Sequence, residues 1–255
     1  MTALTGKRVV VTRPRAQATD LSEKLAALGM QPILFPTIEI VPPEDDALLA
    51  QAALQVEQFD WVVFTSVNGV HAFMQRMHDA GKGAGALERV GVAAIGPATA
   101  QALAAQGIQP RAVPDEYVAE RIPDQLGEVM GRRILLPRAR IAREALAVEL
   151  RRRGAIVQEV PAYDTRAAQP GPQDWAQLRQ GVDVLTFTSS STVREWLALM
   201  ASQPDVPVGG ALVACIGPIT AQTAHEQGLH VDIVAQVYTT TGLVQAIAAH
   251  FLSNS

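Results

Sequence analysis

A single cysteine, Cys215, stands in the 255 residues, so an internal disulfide is excluded and a reducing compartment is expected. It ends an expected strand, where a thiol reads as a small buried hydrophobe and not as a nucleophile. Basic excess is also absent: 21 Lys and Arg against 25 Asp and Glu leave a formal net charge of −4. That excludes nonspecific nucleic-acid binding through a basic surface, and an anionic ligand would have to be held by local groups. His71, His78, His225, His230 and His250 lack metal-ligand spacing, and no Cys/His cluster exists, so no metal is expected. There is no Gly-x-x-x-x-Gly-Lys-Ser/Thr, no Gly-x-Gly-x-x-Gly after a strand and no Gly-x-Ser-x-Gly elbow. Gly81-Lys-Gly-Ala-Gly85 follows a helix and reads as a loop. No cofactor is expected. An uncharged, mostly apolar stretch at 206–224 is broken by Pro207, Gly209, Gly210, Gly217 and Pro218, so it reads as strand, turn and helix and not as a membrane span. A strand at 8–12 is taken to leave no room for a signal peptide, and a cytoplasmic protein is expected.

What the chain does have is said twice. Asp60-Trp-Val-Val-Phe-Thr-Ser66 returns as Asp183-Val-Leu-Thr-Phe-Thr-Ser189, and Ala94-Ile-Gly-Pro-Ala-Thr-Ala-Gln101 returns as Cys215-Ile-Gly-Pro-Ile-Thr-Ala-Gln222. Upstream, Val9-Val-Val-Thr-Arg-Pro-Arg15 matches Ile134-Leu-Leu-Pro-Arg-Ala-Arg140, and the same register aligns Gly29 with Gly154, Pro36 with Pro161 and Tyr117 with Tyr238. A duplicated unit of this size implies two similar domains, and a cleft between them would be the natural ligand site.

Short apolar runs alternate with amphipathic helical stretches. Candidate strands are 8–12, 32–35, 60–64, 91–95, 109–113, 133–136, 155–160, 183–187, 211–216 and 231–234. Helices such as 16–28, with Leu21, Leu25 and Leu28 on one face, and 142–152, with Leu146 and Leu150, lie between them and end at Gly29 and Gly154. This alternation means α/β with parallel sheets, and two sets of five strands suggest two flavodoxin-like doubly wound domains. The linker at 127–131 is short, whereas longer Pro-bearing stretches follow Pro36 and Tyr163. Residues 1–36 and 167–255 are therefore expected to build one domain and 37–166 the other, with extended 37–41 and 162–166 pairing as a two-stranded hinge.

Ligands of open parallel sheets bind beyond the C-terminal strand ends, and both copies are polar there. Gly96-Pro97 and Gly217-Pro218 open helices whose next backbone N–H groups point outward at the positive dipole end, forming anion sites. Ser66, Ser189, Thr99 and Thr220 can cap those helices or donate to a ligand oxygen. Arg13 and Arg138 occupy matching places after the first strand of each copy, with Arg15, Arg140 and Arg143 close by, and suit carboxylate or phosphate. Arg151-Arg152-Arg153 compensates a helix C-terminus.

With Val11-Thr-Arg-Pro14, Phe64-Thr-Ser66, Ile95-Gly-Pro-Ala-Thr99, Val160-Pro-Ala-Tyr163, Phe187-Thr-Ser189 and Ile216-Gly-Pro-Ile-Thr220 in order, the chain resembles the uroporphyrinogen-III synthase family over essentially its whole length. The resemblance implies two α/β domains joined by a β-ladder hinge and the substrate hydroxymethylbilane, a linear tetrapyrrole polyanion. It implies ring closure with inversion of the terminal pyrrole and loss of water, a hydro-lyase reaction of haem, sirohaem and cobalamin biosynthesis. It also implies substrate binding by Ser66, Thr99, Ser189 and Thr220, with Gly96, Pro97, Gly217 and Pro218 shaping the loops, and makes Tyr163 the candidate proton donor, whose alternative role is hinge packing. The expected partner is that small molecule alone, bound by a monomer without nucleic acid or membrane; transient contact with the preceding enzyme of the pathway stays open. Two other readings remain: a noncatalytic tetrapyrrole- or anion-binding sensor on the same scaffold, and a sugar-nucleotide transferase.

Overall fold

The computed structural model describes residues 3–114 and 122–253, so Tyr117, in register with Tyr238, lies outside the described residues. The chain divides into two compact units, one of residues 1–39 and 166–255 and the other of 40–165. The divisions fall inside two strands, β3 (Ile38–Val41) and β7 (Ile156–Ala167).

In the first unit β1 (Arg8–Val11), β2 (Gln31–Leu34), β8 (Val184–Phe187), β9 (Leu212–Cys215) and β10 (Ile233–Val234) form one sheet in the order β10-β9-β8-β1-β2. Every pairing is parallel, as short strands separated by helices require. This is the doubly wound flavodoxin-like order, whose reversal falls between β1 and β8. Strand periodicity sends Val9, Val11, Val184 and Ala214 to one face, against Leu21 and Leu25 of α1 (Thr19–Ala27) and Leu243 and Ile247 of α10 (Thr240–Ser253). Val10, Leu185, Phe187 and Cys215 go to the other face, over Val193 and Trp196 of α8 (Ser190–Ala201) and Ala221 and Ala224 of α9 (Pro218–Glu226). Phe35 lies edge-on to Trp175 of α7 (Pro172–Leu178) and to Trp196, at 4.9 and 5.5 Å between centroids.

The second unit repeats the plan with the chain cut elsewhere. Its sheet runs β3-β7-β6-β4-β5, with β4 (Trp61–Phe64), β5 (Gly91–Ala94) and β6 (Arg133–Ala139). Matching β6 to β1, β7 to β2, β4 to β8 and β5 to β9, as the repeats do, gives the same order of four strands in both units; the fifth lies at opposite edges, β10 beside β9 and β3 beside β7. The reversal here falls between β6 and β4. Val62, Phe64 and Leu135 pack with Leu49 of α2 (Ala47–Leu54), Phe73 of α3 (Val67–Asp79) and Leu103 of α4 (Pro97–Ala104). Val63, Ile134 and Leu136 face Ile122 of α5 (Ile122–Gln125) and Leu146 and Leu150 of α6 (Ala145–Arg152). No described helix is long and apolar enough to cross a membrane; 206–224 folds as loop, β9 and α9.

The repeated aspartates anchor strand starts. The Asp183 carboxylate accepts from the Arg8 N–H at 2.8 Å and pairs with Lys7 at 3.0 Å. The Asp60 carboxylate accepts from the Arg133 N–H at 2.8 Å and pairs with Arg132 at 2.8 Å. Each therefore fixes the strand that flanks its own.

Three expectations are corrected. The strand at 109–113 reduces to one parallel bridge, Ala112 to Ala93, because Pro110 and Pro114 withhold ladder N–H groups on either side. The extended pieces 155–160 and 162–166 are one strand, β7, with Pro161 accommodated where the register against β6 shifts between Arg138 and Ala139. The helix at 16–28 opens with a separate 3-10 turn, Arg15–Gln17, before α1.

Candidate functional site

In the second unit Ser66 directly precedes α3 in extended backbone and caps it, accepting from the Gly69 N–H at 3.1 Å. The same oxygen lies 3.1 Å from the Tyr163 hydroxyl, with either group able to donate. Tyr163 reaches it from β7, its ring against the core below and its backbone carbonyl accepting from the Arg140 N–H at 3.0 Å. Gly69 was not singled out in the sequence, yet it sets this geometry. A Cβ there would sit 2.7 Å from the Pro137 carbonyl oxygen, so only glycine lets the first turn of α3 close onto β6. The available signal was a glycine in the first turn of a helix, a place it disfavours without a packing reason.

Gly96 and Pro97 open α4, with Gly96 at φ 84° and ψ 160°, a region essentially closed to other residues. No side chain caps this helix, and Thr99 in its first turn is 4% exposed. Arg138 is nearly as buried, at 5%, and is engaged: Nη1 meets the Glu159 carboxylate at 3.1 Å and Nη2 donates to the Arg143 carbonyl. Glu159 is shared with Arg151 at 2.8 Å.

The first unit presents the corresponding edge in a different state. Ser189 caps α8, accepting from the Thr192 N–H at 3.3 Å, while its own N–H donates to the Thr192 hydroxyl at 3.3 Å. Its hydroxyl also meets Ser191 at 2.9 Å, where the first unit has a serine and the second unit has Asn68. Ser190 and Thr223 are bonded at 2.6 Å, tying α8 to α9. Gly217 and Pro218 open α9, again without a side-chain cap, and Thr220 in its first turn is 5% exposed. Gly217 is extended, at φ −178°, so it is not needed for its conformation; a Cβ there would press 3.2 Å from the Tyr238 ring. Beneath this edge Thr12 donates to the Thr186 carbonyl and Thr186 to the Val10 carbonyl, both at 2.6 Å and fully buried.

Arg13, beyond β1, has a half-buried side chain. Its Nη2 reaches Gln17 at 3.4 Å, a long bond, and its Nε is buried with no hydrogen-bond partner, a cost of about 1–3 kcal/mol. Burial pushes the guanidinium below its ordinary value, with Asp20 pulling it back up, and it remains a cation. None of α3, α4, α8 and α9 carries an acidic residue in its first turn, so no carboxylate of their own neutralises these helix ends. Burial pushes the Cys215 thiol up to about 12, which removes it as a nucleophile. Among the described residues no group of three His, Cys, Asp or Glu could hold a metal ion.

Each unit is thus a flavodoxin-like α/β fold whose strand ends present hydroxyls and helix N-termini free of acids, joined in the first unit by Arg13, the equipment for a small anionic molecule. A family model described as Uroporphyrinogen-III synthase HemD matches residues 19–245, and the chain belongs to that family of enzymes. A curated relative, the uroporphyrinogen-III synthase of Synechococcus elongatus, is 38% identical over 252 residues, covering 96% of this chain and 95% of the relative. Among solved structures, a mutant uroporphyrinogen III synthase from Thermus thermophilus matches 98% of this chain and 100% of its own, with a TM-score of 0.66 and 19% identity. The uroporphyrinogen-III synthetase of Helicobacter pylori matches 96% and 100%, with a TM-score of 0.62 and 15% identity. These two likenesses establish the fold.

Proposed function

We propose that this protein converts hydroxymethylbilane to uroporphyrinogen III, closing the macrocycle with inversion of the terminal pyrrole ring and release of water, as a hydro-lyase. The observation that carries the reading is family membership across residues 19–245, together with a relative 38% identical over nearly the whole chain. The paired strand-end chemistry supports it. A linear tetrapyrrole with an acetate and a propionate on every ring needs several anion contacts spread over a wide surface. The uncapped N–H groups behind Gly96-Pro97 and Gly217-Pro218, with Thr99 and Thr220 beside them, are proposed to supply such contacts. Ser66 and Ser189 are proposed to add hydroxyls from the two capped helices.

In the proposed chemistry the terminal hydroxyl leaves as water, giving an azafulvene cation. The distal ring attacks through its substituted carbon, and the resulting spiro species fragments and recloses inverted. Closure without inversion occurs unaided, so orientation of the chain carries much of the catalysis. Tyr163 is the proposed proton donor to the departing hydroxyl. Ser66 already accepts from the Gly69 N–H, which favours its own O–H donating to the Tyr163 oxygen and leaves the phenolic proton free for the substrate. A cytoplasmic monomer working without a cofactor completes the proposal. Genetic complementation tests it. A bacterium unable to make the type III isomer should regain haem-dependent growth when it expresses this chain, and failure with folded protein present would contradict the reading.

A further inference from the structure

The repeat gives each unit an arginine beside its reversal point, Arg13 after β1 and Arg138 in β6, and sequence treats them as equivalent. Their surroundings do not. Both ends of the Arg138 guanidinium are occupied, by Glu159 and by the Arg143 carbonyl. Arg13 has one long bond to Gln17, and its Nε is the buried side-chain polar atom without an acceptor among the described residues. The acid that acts on it, Asp20, is already bonded to Lys24 and to Thr240. Native proteins rarely leave such a donor unpaired, and an acceptor brought by a ligand completes it. A carboxylate matches the guanidinium fork, and the site stands at the β1/β8 reversal, where doubly wound sheets receive ligands.

We propose that the two arginines have divided their roles: Arg13 takes a substrate carboxylate through its Nε–H, while Arg138 is a positioning residue that holds the turn after β6. This deepens the proposed function and rests on it for the identity of the ligand. It also makes the two halves unequal, with one arginine held ready and the other consumed by the fold.

The test pairs binding with stability, using the full-length protein and uroporphyrin III, a nonreactive ligand bearing the same acetates and propionates, titrated by fluorescence. Arg13→Gln should weaken binding about 10–150-fold, the effect of losing one charge-assisted hydrogen bond, while its thermal midpoint stays at or above wild type. Arg13→Lys keeps the charge but not the Nε–H and should recover only part of the affinity. Arg138→Gln should lower the thermal midpoint. Unchanged uroporphyrin III affinity in Arg13→Gln would overturn the inference, as would a loss of thermal stability matching that of Arg138→Gln. Because binding is read without turnover, failure of the Arg13 variants and failure of the enzyme to make type III product are separate results.

Discussion

Tyr163 and Ser66 come from elements almost a hundred residues apart in sequence and meet at 3.1 Å. Replacing Tyr163 with Phe keeps the ring in its packing and removes the hydroxyl alone. Turnover should fall about 100-fold, the lower end for a general acid, because water in an open site can substitute. Steady-state kinetics with the melting temperature as control checks this; wild-type turnover across pH would return Tyr163 to a packing role. At this scale the sequence was a partial guide. The repeat located Ser66, Ser189, Thr99 and Thr220 at helix starts, since caps and strand ends are local features. It could not separate Arg13 from Arg138, because Glu159, which decides the matter, reaches Arg138 across the β6–β7 pairing. Nor could it separate Gly96 from Gly217, which look identical in the repeat: one is there for its backbone angle and the other for the Tyr238 ring.

Between elements, the joint of α3 with β6 is tightly constrained. Gly69→Ala drives a methyl group toward the Pro137 carbonyl, a backbone atom that cannot rotate away. A destabilisation of about 1–3 kcal/mol is expected, as for other overpacked positions, read as a lower denaturation midpoint with unchanged m-value. Equal stability would mean that α3 shifts freely, and that Ser66 is not held by this contact. The aspartate that starts β4 acts on its neighbour in another way. The Arg133 N–H and the Arg132 guanidinium hold the Asp60 carboxyl below its usual range. Its contribution to stability is present above the unfolded-state value and is lost as pH falls through the lower folded value. Asp60→Asn should therefore flatten the acid limb of the stability curve, with a small effect because the group is largely solvated. An acid limb identical to wild type would contradict this. Elements with clear periodicity were legible. The strand expected at 109–113 was not, since apolar residues signalled a strand while Pro110 and Pro114 denied it the bonds.

Each unit as a whole encloses its own cores. Among the described residues, the clusters around Phe64 and around Ile134 draw on 49–163, and those around Leu21 and Trp196 on 4–35 and 175–251. The segment 38–167, a single stretch of chain carrying all five strands of its sheet, should therefore fold when expressed alone. A cooperative melt with native-like near-ultraviolet circular dichroism is the expected outcome; a broad, noncooperative transition would show that it depends on the rest of the chain. The expected pairing of the extended pieces 37–41 and 162–166 has its counterpart in β3 and β7, neighbours in one sheet, and the two units divide inside both strands.

The central claim is that this chain directs hydroxymethylbilane to the inverted macrocycle. The most direct measurement incubates purified protein with freshly made hydroxymethylbilane, stops the reaction early, oxidises the products to porphyrins and separates the type I and type III isomers. Unassisted closure gives type I. Type III is the expected dominant product, at an initial rate proportional to protein and saturating with substrate. A product mixture indistinguishable from the buffer blank, from protein shown to be folded, would contradict it.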